Sequence, residues 1–172
     1  MNQPSLTIMC GLPRIGKSSW IKLNKGDAII IETDNIRKEI FGHQFHQNAN
    51  NYVFALAESM TTLLLKQNKN VIIDATHMTS ASRHKWRRIA IDCDAKVFVA
   101  WVYVNKDEDK NLISALQRNL ESPIDQQIPV GVMGNMNKYF EDPAEQLRLD
   151  TPINDQWFEL IEYSNEDKYN SK

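Results

Sequence analysis

The sequence predicts an α/β fold in which helices cover both faces of a parallel β-sheet, a three-layer sandwich. Short apolar runs rich in β-branched residues alternate with helical patterns along the chain. The run 97–104 is apolar at nearly every position, as expected of a strand that is buried on both faces. A glycine-containing loop follows the first apolar run, and such sheets bind their ligands at the carboxyl ends of strands.

The elements can be assigned in order from periodicity and from helix stop signals. The predicted strands are residues 6–10, 28–32, 71–74, 97–104 and 157–161. The predicted helices are residues 18–23, 36–41, 51–67, 80–92, 107–121 and 132–140. Gly42 is expected to end the second helix, and Pro143 to halt the last one. The third helix carries an apolar stripe that consists of Val53, Leu56, Ala57, Met60, Leu63 and Leu64.

Length and composition narrow the class of protein. A chain of 172 residues suits one domain, which we predict to span 1–172. The formal net charge of -2 gives no overall positive field for coating a long nucleic acid, so any polymer contact must be local. Cys10 and Cys93 form no C-x-x-C pair, and no apolar run approaches the roughly 20 residues of a membrane helix. We expect a cytoplasmic protein that has no membrane partner.

The loop after the first strand carries the most specific motif of the chain. Residues 11–18 fit G-x-x-x-x-G-K-[ST], the phosphate loop, between a predicted strand and a predicted helix. We therefore expect ATP as the nucleoside triphosphate donor, bound by nine residues of this segment: Gly11, Leu12, Pro13, Arg14, Ile15, Gly16, Lys17, Ser18 and Ser19. Lys17 would reach the β- and γ-phosphates, and Ser18 would contact Mg²⁺. Arg14 either contacts a phosphate or lies in solvent.

The second strand ends at a carboxylate that could serve as a catalytic base. The sequence has no N-K-x-D guanine signature, and Ala75 stands where a water-orienting Glu would follow the third strand. A kinase instead needs a carboxylate beside the acceptor hydroxyl, and Asp34 is placed for that role. With a helix starting near Asn35, Asp34 could also be a helix cap. Arg37 either holds an acceptor phosphate or lies on a solvated helix face.

These motifs, taken in order, resemble a known family. Lys17-Ser18, Asp34-x-x-Arg37, the strand ending at Asp74-Ala-Thr76, and Arg83 are similar to those of the 5′-hydroxyl polynucleotide kinases and the wider group of AAA and zeta-toxin-like P-loop kinases. The resemblance spans residues 6 to about 143. It implies the P-loop NTPase fold of nucleotide kinases, a catalytic base at Asp34 and an acceptor-phosphate contact at Arg37. It also implies that Asp74 and Thr76 line the acceptor site.

The resemblance further implies a small helical lid with an arginine over the ATP phosphates. The lid is expected at about 115–140, with Arg118 as its catalytic arginine. The family's lid usually carries further arginines, whereas the next arginine of this chain is Arg148. Without the resemblance, Arg118 reads equally well as an ordinary helix-surface charge.

The helix after Asp74 is basic, with Arg83, His84, Arg87 and Arg88 at helical spacing. A charged outer face is the favoured interpretation, except that Arg83 lies closest to the Asp74 loop and is a candidate substrate-binding residue. Three functions remain open. The first is a kinase for the 5′-hydroxyl of an RNA or DNA end, the second a kinase for a small alcohol such as a nucleoside or sugar nucleotide. The third is a nucleotide-binding module with little transfer activity.

Overall fold

A five-stranded, fully parallel β-sheet forms the middle layer of the protein in a computed structural model, which describes residues 3–42, 49–149 and 157–165. The strands are β1 (Ser5–Cys10), β2 (Ile29–Glu32), β3 (Val71–Asp74), β4 (Lys96–Tyr103) and β5 (Glu159–Ser164). Their spatial order is β2-β3-β1-β4-β5, and every neighbouring pair is parallel. This confirms the predicted α/β class with a parallel sheet.

Helices cover both faces of this sheet. They are α1 (Lys17–Asn24), α2 (Thr33–Phe41), α3 (Asn50–Lys66), α4 (Ser80–Asp92), α5 (Glu108–Leu120), α6 (Val130–Lys138) and α7 (Pro143–Leu149). A short 3₁₀ helix, Ile124–Gln126, lies between α5 and α6. The expected lid, 115–140, thus comprises the end of α5, this 3₁₀ turn, α6 and the residues just after it.

Alternating strand residues build two cores on opposite faces, since side chains of a strand point alternately to either side. On one face, Ile8 and Val99 pack with Ala57 of α3 and Trp86 of α4. On the other face the buried cluster joins strand residues to α1, α5 and α6, and its members include Met9, Trp20, Ile72, Ala100, Val102, Ala115 and Met133. The two clusters explain why the central strands read as apolar throughout.

The sheet order places β1 at the point where the winding reverses, because the chain builds β3 and β2 on one side of β1 and β4 and β5 on the other. In open parallel sheets this reversal leaves a crevice at the carboxyl ends of the strands, where ligands bind. The segment that enters this crevice is the loop after Cys10.

Two helix assignments from sequence were wrong in detail. The buried face of α3 consists of Val53, Ala57, Thr61 and Leu65, whereas Leu56, Met60 and Leu63 of the predicted stripe are exposed. Thr61 is buried because its hydroxyl donates to the Ala57 carbonyl, 2.8 Å away, and so needs no water. Pro143 does not merely follow the last helix: α6 ends at Lys138, and Pro143 begins α7, a position that suits proline because its first-turn amide would be unpaired.

The last strand is displaced from its predicted position. Trp157 and Phe158 precede β5, which begins at Glu159 and ends at Ser164. The predicted helix near Asn35 begins earlier, at Thr33, so Asp34 lies within its first turn. His43 and His46, to which the sequence pattern assigns no role, fall outside the described residues, as does the chain beyond Asn165.

Candidate active site

The loop from Gly11 to Gly16 requires glycine at both ends. Gly11 has φ 141°, and a Cβ there would lie 2.4 Å from the Val102 carbonyl oxygen. Gly16 has φ 114°, and a Cβ there would lie 2.3 Å from the Asn165 amide nitrogen. The positive φ values make a side chain strained at both positions, and at Gly11 the main-chain oxygen of Val102 also leaves no room for one. The two glycines of the motif are therefore fixed by backbone geometry as well as by sequence.

The turn at Gly16 exposes main-chain amides at the start of α1. Within the part of the chain that the structure describes, the amides of Gly16, Lys17 and Ser18 have no hydrogen-bond acceptor. The first turn of α1 holds no acidic side chain that could occupy them. Unpaired amides at a helix start attract an anion, because their partial positive charges add along the helix. The Ser18 and Ser19 side chains are exposed at the same end.

Lys17 lies folded back over the loop. Its ammonium donates to the carbonyls of Gly11 (3.0 Å) and Leu12 (2.8 Å). Burial lowers the pKa of Lys17, while the negative charges of Asp74 and, to a smaller extent, Asp34 act to raise it. The ammonium of Lys17 is thus close to the loop and to two carboxylates from neighbouring strand ends.

The large residues of the loop point away from the anion-binding side. Leu12 and Ile15 are completely buried and pack in the core that contains Met9. Arg14 adopts a left-handed backbone conformation, φ 64°, and its guanidinium donates to the Gln126 carbonyl, 2.6 Å away, in the lid region. Arg14 therefore joins the loop to the lid, a contact that neither sequence interpretation foresaw. Pro13 is partly buried.

Asp34 and Arg37 face each other within α2. The Arg37 guanidinium donates to the Asp34 carboxylate at 2.5 Å and to the Asn50 side chain at 3.0 Å. The Asp34 side chain is 71% exposed, whereas that of Arg37 is only 10% exposed. Asp34 is not the helix cap, because the cap position is Glu32. The exposed group of this pair is the carboxylate, and an acceptor phosphate could reach Arg37 only if the present contacts changed.

Asp74 ends β3 directly beside the end of β2. Asp74 pairs in register with Glu32, and the Thr33 hydroxyl donates to the Asp74 carbonyl, 3.3 Å away. Burial raises the pKa of Asp74 to about 6; Lys17 acts against this rise, and the charges of Glu32 and Asp34 add to it. The charges of Lys17, Glu32 and Asp34 thus all act on the Asp74 carboxyl group. Glu32 was missed from sequence because it reads as an ordinary strand terminus.

Arg83 does not reach the acceptor side. Its side chain is fully buried, and its guanidinium donates to the carbonyls of His77 (2.9 Å) and Glu141 (2.8 Å) and to the Gln146 side chain (2.6 Å). The predicted substrate contact is therefore corrected: Arg83 connects α4 to the segment before and within α7. A buried guanidinium needs such partners, since an unpaired one would be strongly destabilising.

His77 stabilises the loop after β3. Its Nδ1 donates to the Met9 carbonyl, and its Nε2 accepts from the Trp86 indole, both at 2.8 Å. Burial lowers the pKa of His77 to about 4, so the ring is neutral at physiological pH. The Thr76 carbonyl accepts from the Gly11 amide at 3.0 Å. The loop after β3 is thereby fixed against the phosphate loop, with the Thr76 side chain only partly buried.

Arg118 contacts main-chain carbonyls of the phosphate loop. Its guanidinium donates to the carbonyls of Ile15 (2.9 Å) and Arg14 (3.3 Å). The next residue, Asn119, is buried and exchanges two side-chain hydrogen bonds with the main chain of Ile128. In this conformation the predicted catalytic arginine holds loop carbonyls, and its role at the phosphates stays a prediction.

Asn165 is a site residue that sequence reasoning missed. Its amide donates to the Ile15 carbonyl at 3.1 Å, and its main-chain nitrogen donates to the Tyr103 carbonyl at 2.8 Å. It is separated from the loop by 150 residues. A polar residue directly after the last strand was the available signal, but the strand was predicted to end at residue 161.

The oxygen groups near the loop fit a magnesium ion. Mg²⁺ prefers oxygen ligands and is usually held by substrate phosphates with one or two protein groups. The Ser18 side chain is exposed at the start of α1, next to Lys17 in sequence, and the negative charge of Asp74 acts on the Lys17 ammonium. Among the described residues, no group of three or more His, Cys, Asp or Glu side chains could hold a metal by itself. The described helices also include none that is both long enough and apolar enough to cross a membrane.

Comparisons with known proteins agree with this geometry. The AAA domain family matches residues 6–143. No curated protein sequence matches the chain. Among solved structures, a chain of the Pnkp1/Rnl/Hen1 RNA repair complex is similar over 85% of this chain, with 20% identity and a TM-score of 0.66, and this chain spans 47% of that one.

Two further solved structures are similar over nearly the whole chain. A gluconokinase from Sinorhizobium meliloti 1021 has 16% identity and a TM-score of 0.56, with 94% of this chain and 84% of that one covered. Kti12 from Chaetomium thermophilum, in complex with ADP-AlF3, has 15% identity and a TM-score of 0.58, with 96% and 92% covered. At these identities the similarity shows the fold alone. Because the family matches most of the chain and includes the loop and both aspartate motifs, the chain belongs to the AAA domain family and has the fold of a P-loop kinase.

Proposed function

We propose that this protein is an ATP-dependent kinase that transfers the γ-phosphate to an alcohol, with the 5′-hydroxyl of an RNA or DNA end as the leading acceptor. One observation carries the proposal: the ammonium of Lys17 donates to the phosphate-loop carbonyls of Gly11 and Leu12, and the negative charges of Asp74 and Asp34 both act on it. A nucleotide-binding loop that faces an exposed carboxylate has the parts that phosphoryl transfer to a hydroxyl requires.

The donor side acts through the main chain. The unpaired amides at the start of α1 would hold the triphosphate, and Lys17 would exchange the carbonyls of Gly11 and Leu12 for phosphate oxygens. Ser18 and Asp74 would hold Mg²⁺, which supplies positive charge to the phosphates when bound. Arg118 would act at the transferring group only after leaving the carbonyls of Arg14 and Ile15, so we propose that the lid at 115–140 moves during turnover.

On the acceptor side, Asp34 would take the proton of the attacking hydroxyl. Its carboxylate is exposed, and Arg37 holds it in one orientation through the 2.5 Å hydrogen bond. We therefore propose that Arg37 positions the base, in addition to any contact with an acceptor phosphate. Asp74 ends β3, the strand between β2 and β1, and the Thr76 carbonyl accepts a hydrogen bond from the phosphate loop.

Two structural similarities bear on the choice of acceptor. Similarity to a chain of an RNA repair complex favours a nucleic acid end, although this chain spans 47% of that one. The similarity to a gluconokinase supports the alternative, a small-molecule alcohol, on the same scaffold. The net charge of -2 suits an acceptor that is gripped locally in either case.

A labelled acceptor screen tests the proposal. Purified protein would receive γ-labelled ATP and Mg²⁺ with 5′-hydroxyl RNA, 5′-hydroxyl DNA and a panel of nucleosides and sugar derivatives, with Lys17→Ala as the blank. We expect label on the oligonucleotides, and none with the blank. Label on a metabolite only would select the small-molecule alternative. Binding of ATP without label on any alcohol would favour a nucleotide-binding module and contradict the kinase proposal.

A further inference from the structure

A large cavity opens beside the carboxyl end of β3. It has a volume of about 800 Å³ and lies between α3, α4 and α6, and its lining includes Ala75 and Thr76, which follow Asp74 directly. Volumes of about 300–1,000 Å³ are typical of pockets that enclose a small ligand or a comparable part of a larger one. The cavity therefore adjoins the proposed acceptor side and has room for more than a hydroxymethyl group.

The walls of this cavity are mainly apolar and include flat or polarisable side chains. Phe54 of α3, Met136 of α6 and Tyr139, just after α6, all line it. Aromatic rings and thioethers pack well against the faces of planar, polarisable groups. The walls thus offer surfaces for a flat ligand on both the α3 side and the α6 side.

The cavity lining carries no net charge. Glu58 and Lys85 line it and form an ion pair with each other, 2.5 Å between Lys85 Nζ and Glu58 Oε1. His77, also in the lining, uses both ring nitrogens within the protein. An acidic or phosphorylated metabolite would find no unpaired cation within the lining, and burying its charge there would be unfavourable. A neutral, planar group suits this lining better.

We propose that this cavity binds the nucleobase at the 5′ end of a single-stranded nucleic acid, so that the base places its own 5′-hydroxyl at Asp34. This inference rests on the proposed kinase function and extends it, because it makes the base a recognition element for the acceptor. Stacking on aromatic side chains accepts every base, since each base has a π-face. The following phosphate would lie at the rim, where the exposed Lys138 has its ammonium 5.4 Å from the centre of the Tyr139 ring.

The test compares two oligonucleotides that differ only in the base at the 5′ end. One carries a normal 5′-terminal nucleotide, and the other has an abasic residue with the same 5′-hydroxyl. Base stacking on aromatic side chains is worth about 1–3 kcal/mol, so wild type should show about 5- to 150-fold lower kcat/KM on the abasic end. The Phe54→Ala and Tyr139→Ala variants should lose most of this difference by becoming worse on the normal end alone.

A matched variant on the same helix controls for general effects. Tyr52 of α3 is 72% exposed and does not line the cavity, so Tyr52→Ala should retain the full preference for the normal end. Phe54 also packs against the core, and Phe54→Ala could unfold the protein. Tyr139 is 61% exposed, so Tyr139→Ala tests the same wall without that risk.

Equal turnover of normal and abasic ends by wild type would overturn the base pocket while leaving the kinase proposal intact. Fluorescence anisotropy of the two labelled oligonucleotides without ATP separates the remaining outcomes. Tighter binding of the normal end, lost in Tyr139→Ala, would support the pocket even where no phosphate is transferred, in which case only the kinase proposal fails. If the two oligonucleotides bind equally, or neither binds, and no phosphate is transferred, the base pocket and the kinase proposal are both contradicted.

Discussion

The phosphate loop and the acceptor side of this protein are built in opposite ways. The loop is one continuous segment, and its proposed binding groups are main-chain amides whose turn depends on Gly11 and Gly16. The acceptor side collects side chains from α2, α3, the loop after β3 and α6, among them Asp34, Asn50 and Thr76. The positions of main-chain groups depend mainly on the local sequence. A side chain, by contrast, can be engaged by hydrogen-bond partners from distant segments.

The arginines show this difference most clearly. Three that could serve a phosphate are instead engaged by the protein: Arg83 by the His77 and Glu141 carbonyls, Arg118 by the Ile15 carbonyl, and Arg14 by the Gln126 carbonyl. Each of the three arginines has at least one partner that is far away in sequence. The proposed phosphate side is therefore left with main-chain amides and Lys17, and the proposed acceptor side with the exposed Asp34.

The largest effect is expected from Asp34→Ala, which removes only the acceptor side. Loss of a general base typically slows turnover about 10²–10⁴-fold. Because Asp34 is on α2 and makes no contact with the phosphate loop amides, the KM for ATP should change little. Steady-state kinetics with the preferred acceptor measure both quantities. Glu39→Ala, at an exposed position of the same helix, is the control, and turnover of Asp34→Ala equal to that of this control would remove Asp34 from the mechanism.

Arg83→Ala should affect stability more than chemistry. The change removes the guanidinium donor of the His77 carbonyl, the Glu141 carbonyl and the Gln146 side chain, and a buried group left without a partner costs about 1–3 kcal/mol. We expect a loss of at least about 3 kcal/mol in the free energy of unfolding, measured by urea titration. Arg88→Ala, exposed on the same helix, should stay within about 0.5 kcal/mol of wild type. A normal stability with a raised KM for the acceptor would restore Arg83 as a substrate-binding residue.

The pH dependence of stability distinguishes the neutral His77 from the buried Asp74. The pKa of His77 is lowered to about 4 from 6.5, so the unfolded state binds the extra proton first and stability falls as pH drops from about 6.5 to 4. The pKa of Asp74 is raised to about 6 from 3.8, so the folded state takes up its proton first and stability rises over nearly the same range. In wild type the two contributions oppose each other.

Asp74→Asn removes one of these contributions and leaves the other. The variant should lose stability more steeply than wild type between pH 6.5 and 4, by up to about 3 kcal/mol across the range. Urea titrations at several pH values in this interval measure the slope. Parallel profiles for the two proteins would mean that the raised pKa of Asp74 does not contribute to folding.

The smallest expected effect separates two roles of Arg118. If Arg118 acts by holding the Arg14 and Ile15 carbonyls, it should contribute about 1.5 kcal/mol to the free energy of ATP binding through the shape of the loop. Arg118→Ala should then weaken ATP binding about 10-fold with kcat nearly unchanged. As a lid arginine at the phosphates, its loss should instead reduce kcat about 10³-fold or more. Gln117→Ala, exposed on the same helix, provides the reference values.

Much of the fold could be predicted from the sequence. Strands that are apolar on both faces and alternate with helices are typical of a parallel sheet covered by helices, and few other folds fit that pattern. The glycine positions of the loop followed from the sequence, since Gly11 and Gly16 both adopt positive φ values, whereas the nucleotide contacts of residues 11–19 stay a prediction. The buried face of α3 was not, because Thr61 pairs its hydroxyl with the Ala57 carbonyl and so replaces an apolar residue. The start of α7 at Pro143 was missed because proline both ends and begins helices.

The candidate site, like the fold, could be predicted in part from the sequence. Asp34 and Asp74 could be located from their positions at strand ends, and the negative charges of both act on Lys17. Glu32 and Asn165 could not, since their proximity depends on strand register and on the exact end of β5. The hydrogen-bond partners of Arg83 and Arg118 could not be predicted from the sequence either, because a long side chain can reach carbonyls whose positions only the tertiary structure defines.

Titration calorimetry with ATP and Mg²⁺ tests most directly whether binding and transfer belong to separate parts of the molecule. Wild type and Asp34→Ala should bind ATP with the same affinity. Lys17→Ala should bind about 10- to 150-fold more weakly, as expected when a charged hydrogen-bond donor is lost. Equal affinities of Lys17→Ala and wild type, or no binding by wild type, would contradict the account.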